Sequence, residues 1–271
     1  MKLRFALPAL APLVLLAACA TTGDPSTQAG LRPAQTAEAP DVEFDTGARV
    51  SPYGLFLAGQ AAMNDGASDE ASRYFARAES AGLDGAYFRE RAFIAAVMAG
   101  DIARAAQLAP SESDTRIVIQ RLGALTKVVA GIGEGDGKLA VDTLATGQVT
   151  VPHRPAAALL GPWAAATAGD KVASFNRPDL RGDRLVEIFG QLGQAQLFER
   201  ARRYDEAETD YMALVGLGEA GVLFVPDYGA FLERRGRWAD AVVVYDRALS
   251  QAPRDAGLLA ARARAASRKG A

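Results

Sequence analysis

Alanine recurs at a fixed interval in this chain, and that interval constrains the fold more than any other feature of the sequence. Ala71 opens Ala-Ser-Arg-Tyr-Phe-Ala-Arg-Ala, and Ala105 lies 34 residues further on; Ala207 opens Ala-Glu-Thr-Asp-Tyr-Met-Ala-Leu, and Ala241 again lies 34 further on. From Ala105 to Ala207 is 102 residues, three of the same interval, so two degenerate copies are expected between them. Two of these copies show a glycine turn five residues before the alanine, Gly100-Asp101-Ile102-Ala103-Arg104-Ala105 and Gly236-Arg237-Trp238-Ala239-Asp240-Ala241. A glycine turn between two helical patterns predicts a helix-turn-helix unit.

The degenerate copies are placed by their turns. One turns at Gly135-Asp136-Gly137 and runs through Leu139, Ala140 and Leu144; the other turns at Gly169-Asp170 and runs through Val172, Ala173 and Phe175, with Pro178 cutting its second helix short. The count is about six helix pairs from Pro52 to Pro253, then a terminal helix over Asp255–Lys269.

These spacings resemble the tetratricopeptide repeat. The last copy matches best, through Tyr228-Gly229, Leu232, Gly236, Ala241, Tyr245, Ala248 and Pro253, and the first through Ala58-Gly59, Ala62, Ala71, Phe75 and Ala78. The resemblance covers about three quarters of the chain and implies an all-α, right-handed superhelical solenoid with a C-terminal capping helix over residues 51–271. Small residues at Gly59, Gly229, Ala71 and Ala241 let the helices of a unit approach, while Phe75 and Tyr245 fill the space between units. In such stacks the first helix of each pair forms a concave face. Mapping this sequence onto it places Tyr53, Phe56, Gln60, Tyr87, Glu90, Phe189, Gln196 and Glu199 there, with Trp163 joining from the weak fourth unit. Aromatic groups with a few polar ones suit an extended peptide or a partner helix. Chaperone-binding members of the family hold a C-terminal carboxylate with Lys and Asn on this face, and Phe56, Gln60 and Glu90 depart from that pattern.

The N-terminus has a different organisation. Lys2 and Arg4 precede an apolar run from Phe5 to Leu16 and the small pair Ala17-Ala18, the layout of an export signal. The run is shorter than the ~20 residues a membrane-spanning helix needs, and Pro8 and Pro12 interrupt it. Cys19 follows directly and is the only cysteine in the sequence. Leu16-Ala17-Ala18-Cys19 resembles the lipobox of bacterial lipoproteins, which implies cleavage after residue 18, lipidation of Cys19 and a membrane anchor. The alternative is an ordinary cleaved signal with an incidental thiol. Ala20 is not the Asp that resembles an inner-membrane retention signal, which implies the outer membrane, facing the periplasm. Residues 19–50, rich in Thr, Ala, Pro, Gly and Gln, read as a flexible tether.

Chemistry-bearing residues are sparse. The formal charge is −2, and no basic patch suits nucleic acid. Arg262, Arg264, Arg268 and Lys269 read as solvated charges at the negative end of a helix dipole. The stretch Gly131–Lys138 departs from a phosphate loop at Ile132 and Leu139 and reads as a long inter-helix turn, so no nucleotide is expected. His153, the only histidine, sits in a helix-start loop before an apolar helix beginning near Ala156. Asp69-Glu70, Asp205-Glu206 and Glu208 fall at helix beginnings, where negative charge meets the positive dipole end. No cofactor, metal or catalytic centre is expected. The reading is a lipid-anchored envelope adaptor that binds a protein or peptide partner, for envelope assembly or cell-wall or polysaccharide machinery. An envelope hydrolase on a helical-repeat scaffold and a structural subunit of a secretion or export complex are the alternatives.

Overall fold

The computed structural model describes residues 51–110 and 116–268, all within the second of the two units into which the chain divides, Val50–Ala271. Residues 1–50, with the signal stretch, Cys19 and the tether, and Lys269 at the C-terminus lie outside the described residues.

Among the described residues there are helices, turns and loops and no strand. Helices α1 (Pro52–Asn64) and α2 (Ser68–Ser80) form the first pair, and α3 (Ala86–Met98) and α4 (Ile102–Leu108) the second. The third is α5 (Ile117–Glu134) with α6 (Gly137–Ala145). The fourth is α7 (Arg154–Thr167) followed by a single 3-10 turn, Ala173–Phe175. Pair five is α8 (Arg184–Arg200) and α9 (Tyr204–Val215). A 3-10 segment, Gly218–Phe224, then leads into α10 (Val225–Arg234) and α11 (Trp238–Leu249), and α12 (Ala256–Arg268) closes the array. Each helix packs on its successor in the chain, as a helical-repeat solenoid requires. No helix among the described residues is long and apolar enough to cross a membrane.

Helix starts follow from side-chain caps. The Asp101 carboxylate accepts from Arg104 N at 3.0 Å, Asp136 from Leu139 N at 2.9 Å, and Asp255 from Leu258 N at 2.9 Å. Asp183 caps α8 through the N–H groups of Leu185 and Val186, both at 3.1 Å. Each satisfies a donor that the first helical turn leaves without an intrahelical partner. The acidic pairs Asp69-Glu70 and Asp205-Glu206 occupy the first turns of α2 and α9, as expected from the dipole.

The repeat is visible as a column of buried small side chains on the second helices. Ala71, Ala105, Ala140, Ser174, Ala207 and Ala241 are all buried, at successive spacings of 34, 35, 34, 33 and 34 residues. The middle units therefore slip by one residue and recover it. A second buried column, twelve residues earlier on the first helices, holds Gly59, Phe93, Val128, Pro162, Ala195 and Gly229. Where this column carries glycine, the aromatic ring of the partner helix occupies the room. A Cβ on Gly229 would lie 2.3 Å from the Tyr245 ring, and one on Gly59 would lie 2.7 Å from the Phe75 ring.

Two local readings are corrected. Gly131–Lys138 is not a long turn: Gly131 and Gly133 continue α5 to Glu134, Gly135 leaves the helix at φ 83°, and α6 starts at Gly137. Gly137 is there because the end of α7 passes so close that a Cβ would fall 2.0 Å from Ala168 N. Helix α7 also begins two residues before Ala156, at Arg154, with Pro155 in its first turn, where a missing N–H is tolerated.

The apolar interior is built as three clusters. One joins α1 to α4 around Phe56, Phe75 and Phe93; a second joins α5 to α7 around Val128 and Ala164; a third joins α8 to α12 around Tyr211, Phe231 and Tyr245. The third follows residues 176–183, which replace most of the second helix of unit four. That segment is held by Pro178 against Gly190, and by Arg177 Nη2 donating to Asp210 Oδ1 at 2.6 Å. Asp210 is buried, and Gln191 Nε2 also donates to it at 3.1 Å.

Candidate partner-binding face

The residues expected on the first-helix face separate into open and enclosed ones. Tyr53 on α1 and Tyr87 on α3 occupy equivalent positions 34 residues apart and are 55% and 56% exposed. They belong to one aromatic cluster. Phe56 lies 6.1 Å from Tyr53, 5.9 Å from Tyr87 and 4.8 Å from Phe88, the last edge-on, all ring centroid to ring centroid. Phe56 itself is only 4% exposed, against the expectation of an open position. Its ring sits between the two units, where it fixes the tyrosines from beneath, because a large apolar ring gains more from burial there than at the surface.

Two residues of this face were missed by the sequence reading. Leu57 is 53% exposed, and the Arg91 guanidinium lies over the Tyr87 ring at 5.4 Å from its centroid. Arg91 Nε and Gln60 Nε2 are buried donors without a hydrogen-bond partner. Position 91 is position 57 plus the repeat length, so the period itself was the signal that could have found both.

The polar residues expected on the face act between units. Glu90 accepts from Arg116 Nη2 at the start of α5. Gln196 Nε2 donates to Asp227 Oδ1 at 3.4 Å. Glu199 accepts from Arg234 Nε at 2.6 Å, Arg234 Nη2 at 2.8 Å and the Tyr211 hydroxyl at 3.3 Å. The same arrangement returns one unit later, where Glu233 accepts from Arg264 Nε and Nη2, both at 2.9 Å, and from Tyr245 at 2.8 Å. The Arg264 guanidinium holds the Glu233 carboxyl below its ordinary pKa. Burial pushes the hydroxyls of Tyr211 and Tyr245 well above theirs, and the neighbouring carboxylates add to the effect. These forked, partly enclosed pairs tie each unit to the next.

The C-terminal arginines are corrected in the same way. Besides Arg264, Arg262 Nε donates to Asp246 at 2.9 Å, and Arg268 lies over the Trp238 ring at 5.8 Å. They fasten α12 to α10 and α11 where the sequence suggested solvated charges.

Trp163 and Phe189 lie further along the array. Trp163 on α7 is half-buried, with the Arg200 guanidinium 5.7 Å over its ring; Phe189 on α8 is 45% exposed and meets Phe224 edge-on at 6.1 Å. His153 sits at the start of α7 without a capping bond from its side chain, and its Nε2 is buried without a hydrogen-bond partner. No group of three or more His, Cys, Asp or Glu able to hold a metal ion occurs among the described residues.

Comparison with known proteins locates one similarity. A family model described as "Tetratricopeptide repeat" matches residues 225–265, which span α10, α11 and most of α12. No curated protein matches the chain. The last unit is thus of tetratricopeptide-repeat type, a repeat that generally mediates binding between proteins, on a fold that is typically a non-enzymatic scaffold.

Proposed function

We propose that this chain is a bacterial envelope adaptor, anchored by lipid on Cys19 to the periplasmic face of the outer membrane and holding a protein partner on the first-helix face of its array. One observation carries the binding half: Tyr53, Leu57 and Tyr87 stand open on adjacent units, seated on a filled aromatic interior, in a fold of tetratricopeptide-repeat type. Rigid, half-exposed aromatics above a packed base are the side chains that dominate protein interfaces. The anchoring half is supported by the sequence: the only cysteine directly follows an apolar, small-residue stretch at the end of an export-signal layout. A lipid anchor raises the effective concentration of the array for partners at the same membrane.

The two halves are tested separately. Globomycin, or Cys19→Ala, is expected to leave the chain uncleaved at higher mass, and Cys19→Ala to abolish its labelling by radioactive palmitate; unchanged processing and labelling refute the anchor. A photo-crosslinker at position 57 in intact cells identifies the partner, and Tyr53→Ala with Tyr87→Ala is expected to weaken the purified complex by roughly tenfold or more, about 1.4 kcal/mol or above. Unchanged affinity refutes the assignment of this face. Turnover of peptidoglycan fragments that disappears with His153→Ala would favour a hydrolase over an adaptor.

A further inference from the structure

Unit four lacks most of its second helix, and the space beside the turn that replaces it is open. A cavity of about 520 Å³ lies between the end of α7, the 3-10 turn and the end of α8. Its floor is apolar, from Ala166, Phe175 and Leu197, and its rim carries Lys171, Arg200 and Arg203. One carboxylate, Asp170, also lines it, and its Oδ1 already accepts from Val172 N at 3.0 Å and Ala173 N at 2.9 Å. Arg203 shares its charge with Glu206 and lies over the Phe175 and Phe198 rings at 4.5 and 4.6 Å. Arg200 is aimed across the Trp163 ring, and among the described residues neither it nor Lys171 is paired with a carboxylate. The rim is therefore cationic beyond what its own acids neutralise, over a floor that prefers hydrocarbon.

We propose that this cavity binds an anionic amphiphile, a phosphate or carboxylate head held by Lys171 and Arg200 with a short apolar body laid on Phe175 and Leu197. Guanidinium and ammonium groups that lack a protein carboxylate form strong charge-assisted bonds to such heads, and the apolar floor adds a gain proportional to the area it covers. The site is separate from the Tyr53–Tyr87 face and stands whether or not a protein partner binds there.

Trp163 reports on it, because an anion that draws Arg200 off the indole changes its emission. In the full chain with Trp238→Phe, dodecyl phosphate below its micellar concentration is expected to give a saturable change in fluorescence. Titration calorimetry on the unsubstituted chain repeats the measurement without relying on that variant. Lys171→Gln with Arg200→Gln is expected to weaken binding at least tenfold, raised salt to weaken it further, and Arg181→Gln on the neighbouring segment to leave it unchanged. With Cys19→Ala as the background, so that no acyl chain carries the protein to the bilayer, vesicles containing phosphatidylglycerol separate the sources: flotation with them that the double variant loses assigns a lipid still in its bilayer, while binding of dodecyl phosphate alone assigns a free amphiphile. Equal affinity for dodecyl maltoside overturns the anionic head, equal affinity for inorganic phosphate overturns the apolar body, and no saturable binding overturns the site.

Discussion

Gly137 and Gly133 are four residues apart at the junction of α5 and α6, and the same substitution is expected to move stability in opposite directions at the two. At Gly137 an added Cβ meets backbone, 2.0 Å from Ala168 N and 2.3 Å from Thr167 C, whereas ordinary contact begins near 3.4 Å. The end of α7 must therefore withdraw by about 1.4 Å, the difference between those distances, and backbone cannot swing aside as a flexible side chain can. Overpacking of this kind costs roughly 1–3 kcal/mol, and a backbone obstacle belongs at the upper end. Gly137 is the first residue of α6, so alanine recovers at most the interior helix preference of about 1 kcal/mol, leaving a net loss of about 2 kcal/mol or more. At Gly133, inside α5, a Cβ meets nothing within 4 Å, so only the gain of up to about 1 kcal/mol remains. For a domain of this size, about 2–4 °C of melting temperature corresponds to each kcal/mol. Gly137→Ala should melt roughly 4–8 °C below the unsubstituted chain and Gly133→Ala roughly 2–4 °C above it, followed by circular dichroism at 222 nm. A Gly137→Ala chain that melts at or above the unsubstituted one would refute the close packing of α6 on α7.

Other outcomes follow from the same packing. Ala241 is fully buried in the second-helix column, so Ala241→Leu should lose about 3 kcal/mol or unfold the last unit, read as a lower urea midpoint. Tyr245→Phe removes one hydrogen bond to Glu233 while Arg264 remains, and should cost about 1 kcal/mol in the same assay. Tyr211, Tyr228 and Tyr245 keep their protons in the folded chain beyond the ordinary value of 10.0, chiefly through burial. The unfolded chain releases those protons first, so stability should hold below about pH 10 and fall as pH rises past it, less steeply in Tyr211→Phe/Tyr245→Phe. Glu233 has the opposite sign: with its pKa held below 4.5 by Arg264, its contribution is present above that pH and is lost on acidification, and Glu233→Gln should flatten the acid limb of the urea midpoint.

The recurrence of small residues made the pairs legible, since Ala71, Ala105, Ala207 and Ala241 sit where only a small side chain fits between two helices. The middle register was harder to read. Ser174 fills an alanine position with a polar residue, and the spacing stretches to 35 before contracting to 33, so a fixed period falls one residue short of Ala140 and Ser174. Which side chains lie open was legible only in part. Tyr53 and Phe56 are both aromatic on the same helix, and their different burial depends on Phe75 and Phe88 from other helices, which spacing along α1 does not reveal. The inter-unit pairing of Glu199 and of the α12 arginines was hidden for the same reason: Arg234 lies 35 residues from Glu199, Glu233 31 from Arg264 and Asp246 16 from Arg262. The Arg177, Gln191 and Asp210 network has no local signature at all, because it exists to hold a segment that replaces a helix.

That replacement bears on how the array responds to force. In a stack where each unit grips only its neighbours, tension between the ends is borne in series, and the weakest junction parts first. Residues 176–183 join the second and third apolar clusters in place of a helix, fastened at Arg177 and Pro178, so α7 meets α8 across this seam without a full second helix beside it. A chain tethered at one end and pulled at the other should therefore yield at unit four, releasing Arg184–Arg268 as one intact block while the earlier pairs stay folded. In a single-molecule stretching record this gives a first rupture at that seam, shifted to lower force by Arg177→Ala; a first rupture elsewhere would place the weak junction outside unit four. The missing helix thereby acts as a mechanical fuse between the three pairs before it and the block Arg184–Arg268, whose last unit matches the repeat family.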